Sequence, residues 1–180
     1  MVNSEPPVSY FDFRIIDDTR YLRDSYALRY EVYCNEQHFL APEDYPSGLE
    51  IDAFDADAIH VGAISREGGL VGTVRLVLPS ARGFPFYEHC ELFGEYKDLA
   101  KPDNPILQST AEISRLAVSK SYRRRANDGL YDLSSPEDIE TGCESEALHR
   151  RRRPEIILGL YKAMYQASKR RGITHWFAAM

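Results

Sequence analysis

Apolar residues recur along this chain at two periods, and the switches between them outline its elements. Residues 10–17 alternate aromatic or aliphatic with polar positions, so they read as a first strand. Asp17 or Asp18 then caps a helix running to about Gln37. Leu22, Tyr26, Arg29 and Tyr33 fall on one face of that helix, with Tyr21, Leu28 and Val32 on the neighbouring one. Two prolines and a glycine make residues 41–48 a loop. Ala58–Ser65 and residues 70–78 are two strands, and Gly68-Gly69 between them signals a hairpin. Residues 79–105 hold four prolines and several aromatics, with room for one short helix. Thr110–Val118 is a fourth strand. Residues 155–171 form an amphipathic helix with Ile157, Leu160, Tyr161, Met164 and Ser168 on one face. Pro154 suits its first turn, Lys169-Arg170-Arg171 its negative end, and Gly172 its stop. Residues 173–180 make a final strand. The order predicts a mixed α/β (α+β) fold: a mostly antiparallel sheet with a parallel step near the end, flanked by helices. No internal repeat is present.

Charges interrupt this pattern where they are costly. Arg75 lies inside the apolar run 71–78, and Glu112 and Arg115 lie inside residues 111–118. A charge in a strand of Val, Ile and Leu is expensive to bury unless it is paired or working. Strand alternation would turn Glu112 and Ser114 one way, and Ile113 and Arg115 the other. An acid on a half-buried strand has a raised pKa, which suits a general base near neutral pH. It could equally complete an ion pair. Upstream, Arg29 and Glu31 sit in the helix 18–37, and Glu50, Asp52 and Asp55 precede the second strand. In an extended segment Glu50 and Asp52 share a side. The three carboxylates could bind a divalent cation or a cationic substrate, or pair with Arg29, Arg75 or Arg115. A solvated loop is the plain alternative, less attractive because Ile51 and Phe54 anchor the segment.

Bulk properties narrow the function. The 180 residues fit one domain, 1–180, and the apolar and charged fractions are those of a soluble globular protein. A net charge of −6 argues against nucleic acid as a partner. No stretch is long enough for a transmembrane segment, and residues 1–7 lack the regions of a signal peptide, so a cytoplasmic location is expected. Three dispersed cysteines and five scattered histidines show neither disulfide nor zinc spacing, so no metal is expected. Residues 119–154 read as a charged insertion: basic residues at 120–125 and 150–153 enclose an acidic stretch, 128–146. Its basic ends are either solvated or a docking patch for an acidic partner.

Four blocks in order carry a resemblance: Arg29-x-x-Val32-Tyr33-Cys34-x-Glu36, Glu50-x-Asp52-x-Phe54-Asp55, Gly72-Thr73-Val74-Arg75-Leu76 and Glu112-Ile113-Ser114-Arg115-Leu116-Ala117-Val118. Together they resemble the acyl-homoserine-lactone (autoinducer) synthases and the N-acyl amino acid synthases. Val32-Tyr33-Cys34 and Phe84-Pro85 are most similar to the exosortase-associated acyltransferases of PEP-CTERM systems. The resemblance implies a GNAT-like fold and acyl transfer from a phosphopantetheine thioester to a small-molecule amine. In that fold the fourth and fifth strands splay, and pantetheine lies in the gap. It implies catalytic roles for Glu112, Ser114 and Arg115, with Glu112 as base. It places Arg29, Glu50, Asp52, Asp55 and Arg75 at the substrate, with Glu50 the weaker member. Leu116, Ala117 and Val118 would bind the donor through backbone amides, as in strand augmentation. The donor would be acyl-phosphopantetheine on acyl carrier protein, or acyl-coenzyme A, with no tightly bound cofactor. The glycine-rich coenzyme A loop of many GNAT enzymes is absent from residues 119–129, which favours the carrier protein, although Arg123-Arg124-Arg125 could bind phosphates. His38-Phe39 stands where the synthase pattern has a large aromatic, which counts against S-adenosylmethionine as acceptor. The family fold continues with a helix and two strands, so the chain is expected to be truncated, with Met180 ending mid-sheet at an open edge. An acetyl-coenzyme A-dependent N-acetyltransferase and a non-catalytic interaction module are the alternatives.

Overall fold

A computed structural model describes residues 10–93, 104–122 and 153–178. The insertion's basic clusters at 123–125 and 150–152 therefore lie outside the described residues. The elements are β1 (Phe11–Ile15), α1 (Thr19–Tyr30), β2 (Ala58–Ser65), β3 (Leu70–Val77), a short α2 (Phe86–His89), β4 (Thr110–Val118), α3 (Arg153–Arg170) and β5 (His175–Ala178). The five strands form one sheet in chain order. Its first three pairings are antiparallel, and β4 pairs with β5 in parallel.

The two faces of the sheet differ in chemistry. On one, Phe11, Val61, Ala63, Val74, Leu76 and Ala111 pack under Ile156, Leu160, Met164 and Ala167 of α3. Ile156 rather than Tyr161 centres the buried face of α3; Tyr161 is 39% exposed. Two glycines allow the close approach. A Cβ on Gly72 would meet Ile156 at 2.9 Å, and one on Gly159 would meet the Phe13 ring at 2.2 Å. Truncating Leu160 to Ala would cost about 2–5 kcal/mol in this layer.

The other face is covered by α1, which lies against β3. Asp18 caps α1 by accepting from the Arg20 amide at 2.7 Å. The helix does not stay α to residue 37 as the periodicity predicts. From Glu31 to Glu36 it widens into a π-helical turn, with Gln37 N donating to Val32 O at 3.0 Å. No glycine ends it. His38 takes the left-handed conformation (φ 55) and its Nδ1 donates to Cys34 O at 3.0 Å. The wider turn buries Val32 and Cys34 together and brings the Tyr33 hydroxyl to Leu116 O of β4 at 2.9 Å. Such turns recur at functional sites. At the hairpin, Gly68 (φ 82) supplies the left-handed residue between β2 and β3.

Candidate active site

The charged positions singled out in the sequence converge on the α1 face. Arg29, from α1, pairs through Nε with Glu50 and through Nη1 and Nη2 with Asp55 at 2.7 and 3.1 Å. Arg75, from β3, donates from Nη1 to Asp52 at 2.6 Å and to Asp55 at 3.0 Å. Arg115, from β4, donates to Glu50 at 3.0 Å and to Asp52 at 3.3 Å. The contacts close a ring: Arg29, Asp55, Arg75, Asp52, Arg115, Glu50 and back to Arg29. Cations and anions alternate around it and balance in number.

Burial makes the ring structural in its depth and accessible at one corner. The side chains of Arg29, Glu50, Asp55 and Arg75 are each at most 4% exposed, whereas Asp52 and Arg115 reach 23% and 26%. Asp52 and Asp55 also brace their own loop: Asp55 accepts from the Asp52 amide at 2.8 Å and Asp52 from the Phe54 amide at 2.9 Å. The solvated-loop reading is therefore wrong. Phe54 is the anchor, while Ile51 is 46% exposed and anchors nothing. Glu31 stays outside, holding Asn35 at 2.7 Å on the exposed side. Burial pushes Asp55 upward, but the hydrogen bonds and charge of Arg29, with Arg75, outweigh it and hold the carboxyl at about 2. Burial alone would lower Arg29, and Asp55 with Glu50 reverse that and raise it.

Arg115 corrects the strand reading. Strict alternation sends it away from Glu112 and Ser114. Instead, Thr73 pairs with Ala117 and Arg75 with Ser114, so β4 carries one extra residue there, and Arg115 adopts φ 55. This bulge turns Arg115 onto the same face as Glu112 and Ser114. Ser114 accepts from Arg75 Nε at 3.1 Å and so hangs on the ring.

Glu112 stands next to the ring rather than in it. It is 3% exposed and accepts from the Phe86 amide at 2.7 Å, at the start of α2. Phe86 stacks on Phe177 of β5, with centroids 5.6 Å apart and planes 10° apart, and Phe84 and Tyr87 pack around the same ring. Burial raises the Glu112 carboxyl, against the opposing pull of the Phe86 amide, Arg75 and Arg115. Glu112 therefore has the character of a base poised closer to neutrality than a solvated glutamate.

Residues 116–118, the expected donor positions, divide in two. Ser119 N donates to Val71 O at 2.9 Å, so 119/71 and 117/73 are the hydrogen-bonded pairs and 118/72 is not. Ala117 thus spends its amide on β3, whereas Val118 turns its N–H toward the opposite edge. There the β4–β5 ladder is described only from Thr110 to Ile113. Leu116 gives its carbonyl to Tyr33.

Of the scattered histidines, His60 alone joins the ring's surroundings among the described residues. It stands opposite Arg75 on β2, buried, edge-on to Tyr26, with Nε2 3.7 Å from Asp55. Burial lowers its pKa, with Arg29 and Arg75 adding to that and Asp55 opposing it, so it is neutral at pH 7. The signal that found Arg75, a polar residue within an apolar strand, was equally present at Ile59-His60-Val61. Cys34 is fully buried and its thiol is pushed up by burial, which disqualifies it as a nucleophile. Among the described residues no group of His, Cys, Asp and Glu could hold a metal ion, and no helix is long and apolar enough to cross a membrane.

Known structures share this arrangement of elements. The acyl-homoserine-lactone synthase LasI superposes with a TM-score of 0.53 at 16% identity, covering 94% of this chain and 72% of LasI. A GNAT-family acetyltransferase of Staphylococcus aureus gives 0.52 at 13% identity, with 94% and 73% covered. The coenzyme A-dependent synthase BjaI gives 0.53 at 19%, with 94% and 66% covered. At these identities the likeness speaks for the fold alone. No curated protein matches the chain in sequence. Residues 28–131, more than half of the chain and spanning every member of the ion-pair ring and Glu112, match the acetyltransferase (GNAT) domain family, and the chain belongs to that family.

Proposed function

We propose that this chain is an autoinducer-synthase-like N-acyltransferase, moving a fatty acyl group from a phosphopantetheine thioester to an amine or amino acid. The observation that carries this reading is the placement of Glu112. It is a buried, pKa-raised carboxylate on β4, one residue from the end of the described β4–β5 ladder and beside a balanced ring of ion pairs. Beyond that ladder, Val118 offers an outward amide to an extended donor arm, with Leu116 and Ala117 completing the strand it would lie along. Arg115 and Asp52, the accessible corner of the ring, face the acceptor, and the buried remainder fixes their positions.

In the reaction the amine nitrogen attacks the thioester carbon and Glu112 takes the nitrogen's proton. The C–S bond then breaks, and the proton passes to the departing thiolate, giving an amide and a free thiol. The donor we favour is acyl carrier protein, met in the cytoplasm and guided by the basic residues at 123–125 and 150–153. BjaI is a coenzyme A-dependent synthase, so both donor types belong in the test. Kinship with the exosortase-associated acyltransferases is part of the same proposal and rests on Val32-Tyr33-Cys34 and Phe84-Pro85.

Purified protein offered acyl carrier protein thioesters, acyl-coenzyme A and acetyl-coenzyme A, each with a panel of amines and amino acids, decides the matter. Mass spectrometry of N-acyl products and thiol release are the readouts. Long-chain product from the carrier protein supports the proposal. Preference for acetyl-coenzyme A makes the chain an ordinary N-acetyltransferase. Carrier binding without any turnover makes it an interaction module. Reversing Arg151 and Arg152 to Glu should slow carrier association most at low salt, since screening acts over about 8–10 Å, and leave a short pantetheine thioester equally reactive.

A further inference from the structure

We propose that Arg75 and Ser114 form the seat for the acyl carbonyl oxygen, stabilising it from Arg75 Nη2 and Ser114 Oγ as it becomes an oxyanion. The inference rests on the acyl-transfer reading and assigns these two residues a step within it.

Arg75 is 1% exposed, yet its donors are unequally used. Nη1 serves Asp52 and Asp55, and Nε serves Ser114 Oγ. Nη2 is buried without a hydrogen-bond partner. A buried, charged donor left unsatisfied costs free energy, and in a native structure it marks either strain or a place awaiting a partner. Its direction follows from the planar fork: Nε and Nη2 share one edge of the guanidinium. One N–H of the unused donor therefore lies on the Ser114 edge, and the other on the edge it shares with Nη1. Ser114 Oγ accepts from Nε, which leaves its own O–H to donate. Two donors thus converge on one locus, where a single oxygen would accept from both.

The locus is suited to a developing negative charge. Ser114 is two residues from Glu112 on one face of β4, so carbonyl seat and base would flank one reacting carbon. Arg75 and Glu112 are diagonal neighbours across the β3–β4 pair, since Arg75 stands opposite Ser114 and Val77 opposite Glu112. The charge of Arg75 is already matched within the ring, so Nη2 would meet an oxyanion as a fixed, unused hydrogen-bond donor. The remaining ring contacts hold Arg75 still, and a donor that need not reorganise is most effective in the transition state. During reaction the attacking nitrogen forms the C–N bond, and the carbonyl π pair moves onto the seated oxygen. The pair returns as the C–S bond breaks, the thiolate leaving with the proton relayed by Glu112.

Arg75 is too deeply embedded for a clean variant, so Ser114 is the test. Ser114→Ala should lower kcat about 10²-fold with KM nearly unchanged, the effect of one missing oxyanion donor. Ser114→Thr, which keeps the hydroxyl, should recover most of it. The acid limb of the pH–rate profile, set by Glu112, should not move in either variant. A second readout needs no turnover. With acceptor omitted, the 13C-labelled thioester carbonyl of bound acyl carrier protein should absorb at lower infrared frequency than in solution, and Ser114→Ala should reverse part of that shift. Wild-type turnover with an equally fast Ser114→Ala enzyme, or an unshifted carbonyl band in bound donor, overturns the carbonyl seat and leaves the acyltransferase reading standing. No wild-type turnover together with no thioester binding overturns both.

Discussion

Replacing Arg29 by Ala tests the ring where it is deepest. Arg29 is fully buried, bonds Glu50 and both oxygens of Asp55, and lies over the Tyr26 ring at 5.2 Å. Its loss leaves three carboxylates facing two arginines in a site that water barely enters. Removing one partner of a buried pair costs about 3–5 kcal/mol. The low end applies here, because Arg115 still holds Glu50 and Arg75 still holds Asp55. For a chain of this size each kcal/mol moves Tm by about 2–4 °C, so the midpoint should fall by about 6–12 °C. Thermal melts followed by circular dichroism, with urea titration for the free energy, measure this. Arg29→Lys keeps the charge but loses the fork and should fall between the two. Arg20→Ala is the control: its pair with Asp24, at 3.9 Å, is exposed and should be nearly silent. If Arg29→Ala melts with Arg20→Ala, the ring is not a buried network and the argument for the site fails with it.

Four further outcomes are expected. Glu112→Gln should slow turnover by about 10²–10⁴-fold with donor binding nearly intact, and should abolish an acid limb lying above the ordinary glutamate range; an unchanged single-turnover rate removes Glu112 from the mechanism. Asp55 falls from 3.8 unfolded to about 2 folded, so it contributes about 2 kcal/mol that is fully present above pH 4 and lost as pH falls through 2; Asp55→Asn should flatten the acid-unfolding curve in that window. His60 is depressed instead, so its contribution is full above the ordinary histidine range and lost as pH falls below it; NMR of the imidazole should show late protonation, and His60→Phe should remove the slope. Gly159→Ala drives a methyl into the Phe13 ring and should cost about 1–3 kcal/mol, read from urea midpoints.

The strands, the two long helices and the membership of the ring were legible because each rests on local pattern or on cost. Alternation marks β1, Gly68-Gly69 between two apolar runs marks β2 and β3, the 3.6-residue period marks α1 and α3, and a charge among Val and Leu announces a partner. What was not legible depends on contacts between distant segments. The π-helical turn after Tyr30 answers to packing of Val32 and Cys34 and to the Tyr33–Leu116 bond, none of which changes the local apolar period. Ile156 outranks Tyr161 because it meets the sheet at Gly72, a contact between distant segments that the local period does not show. Ile51 and Phe54 were equivalent as apolar residues in a loop, and only the neighbouring Val77, Phe84 and Leu107 single out Phe54. His60 carries the same mark as Arg75, a polar residue between Ile59 and Val61, but a histidine can be buried neutral, so its type alone does not demand a charged partner.

The bulge at Arg115 shows why the site's last member could not be read from alternation, and what it contributes. A regular strand places at most two of Glu112, Ser114 and Arg115 on one face, since 114 and 115 are adjacent. The proposed reaction calls for base, hydroxyl and exposed cation on the side that faces α1. The chain meets this by inserting one residue opposite Val74 and letting Arg115 take a left-handed conformation, which costs a non-glycine residue of order 1–3 kcal/mol. That cost is offset locally by the bonds of Arg115 to Glu50 and Asp52 and by its stacking over Tyr33 at 5.7 Å. Compensation is mutual: without Arg115 the ring opens at its accessible corner, and without the ring nothing holds the bulge. The same insertion changes which amides beyond it face outward, because it shifts the register by one residue between Ser114 and Ala117. It thereby turns Val118, rather than Ala117, to the free edge. One extra residue on β4 thus sets both the cation and the amide that the proposed reaction assigns to acceptor and donor, so a deletion there would disturb both halves of that reaction at once.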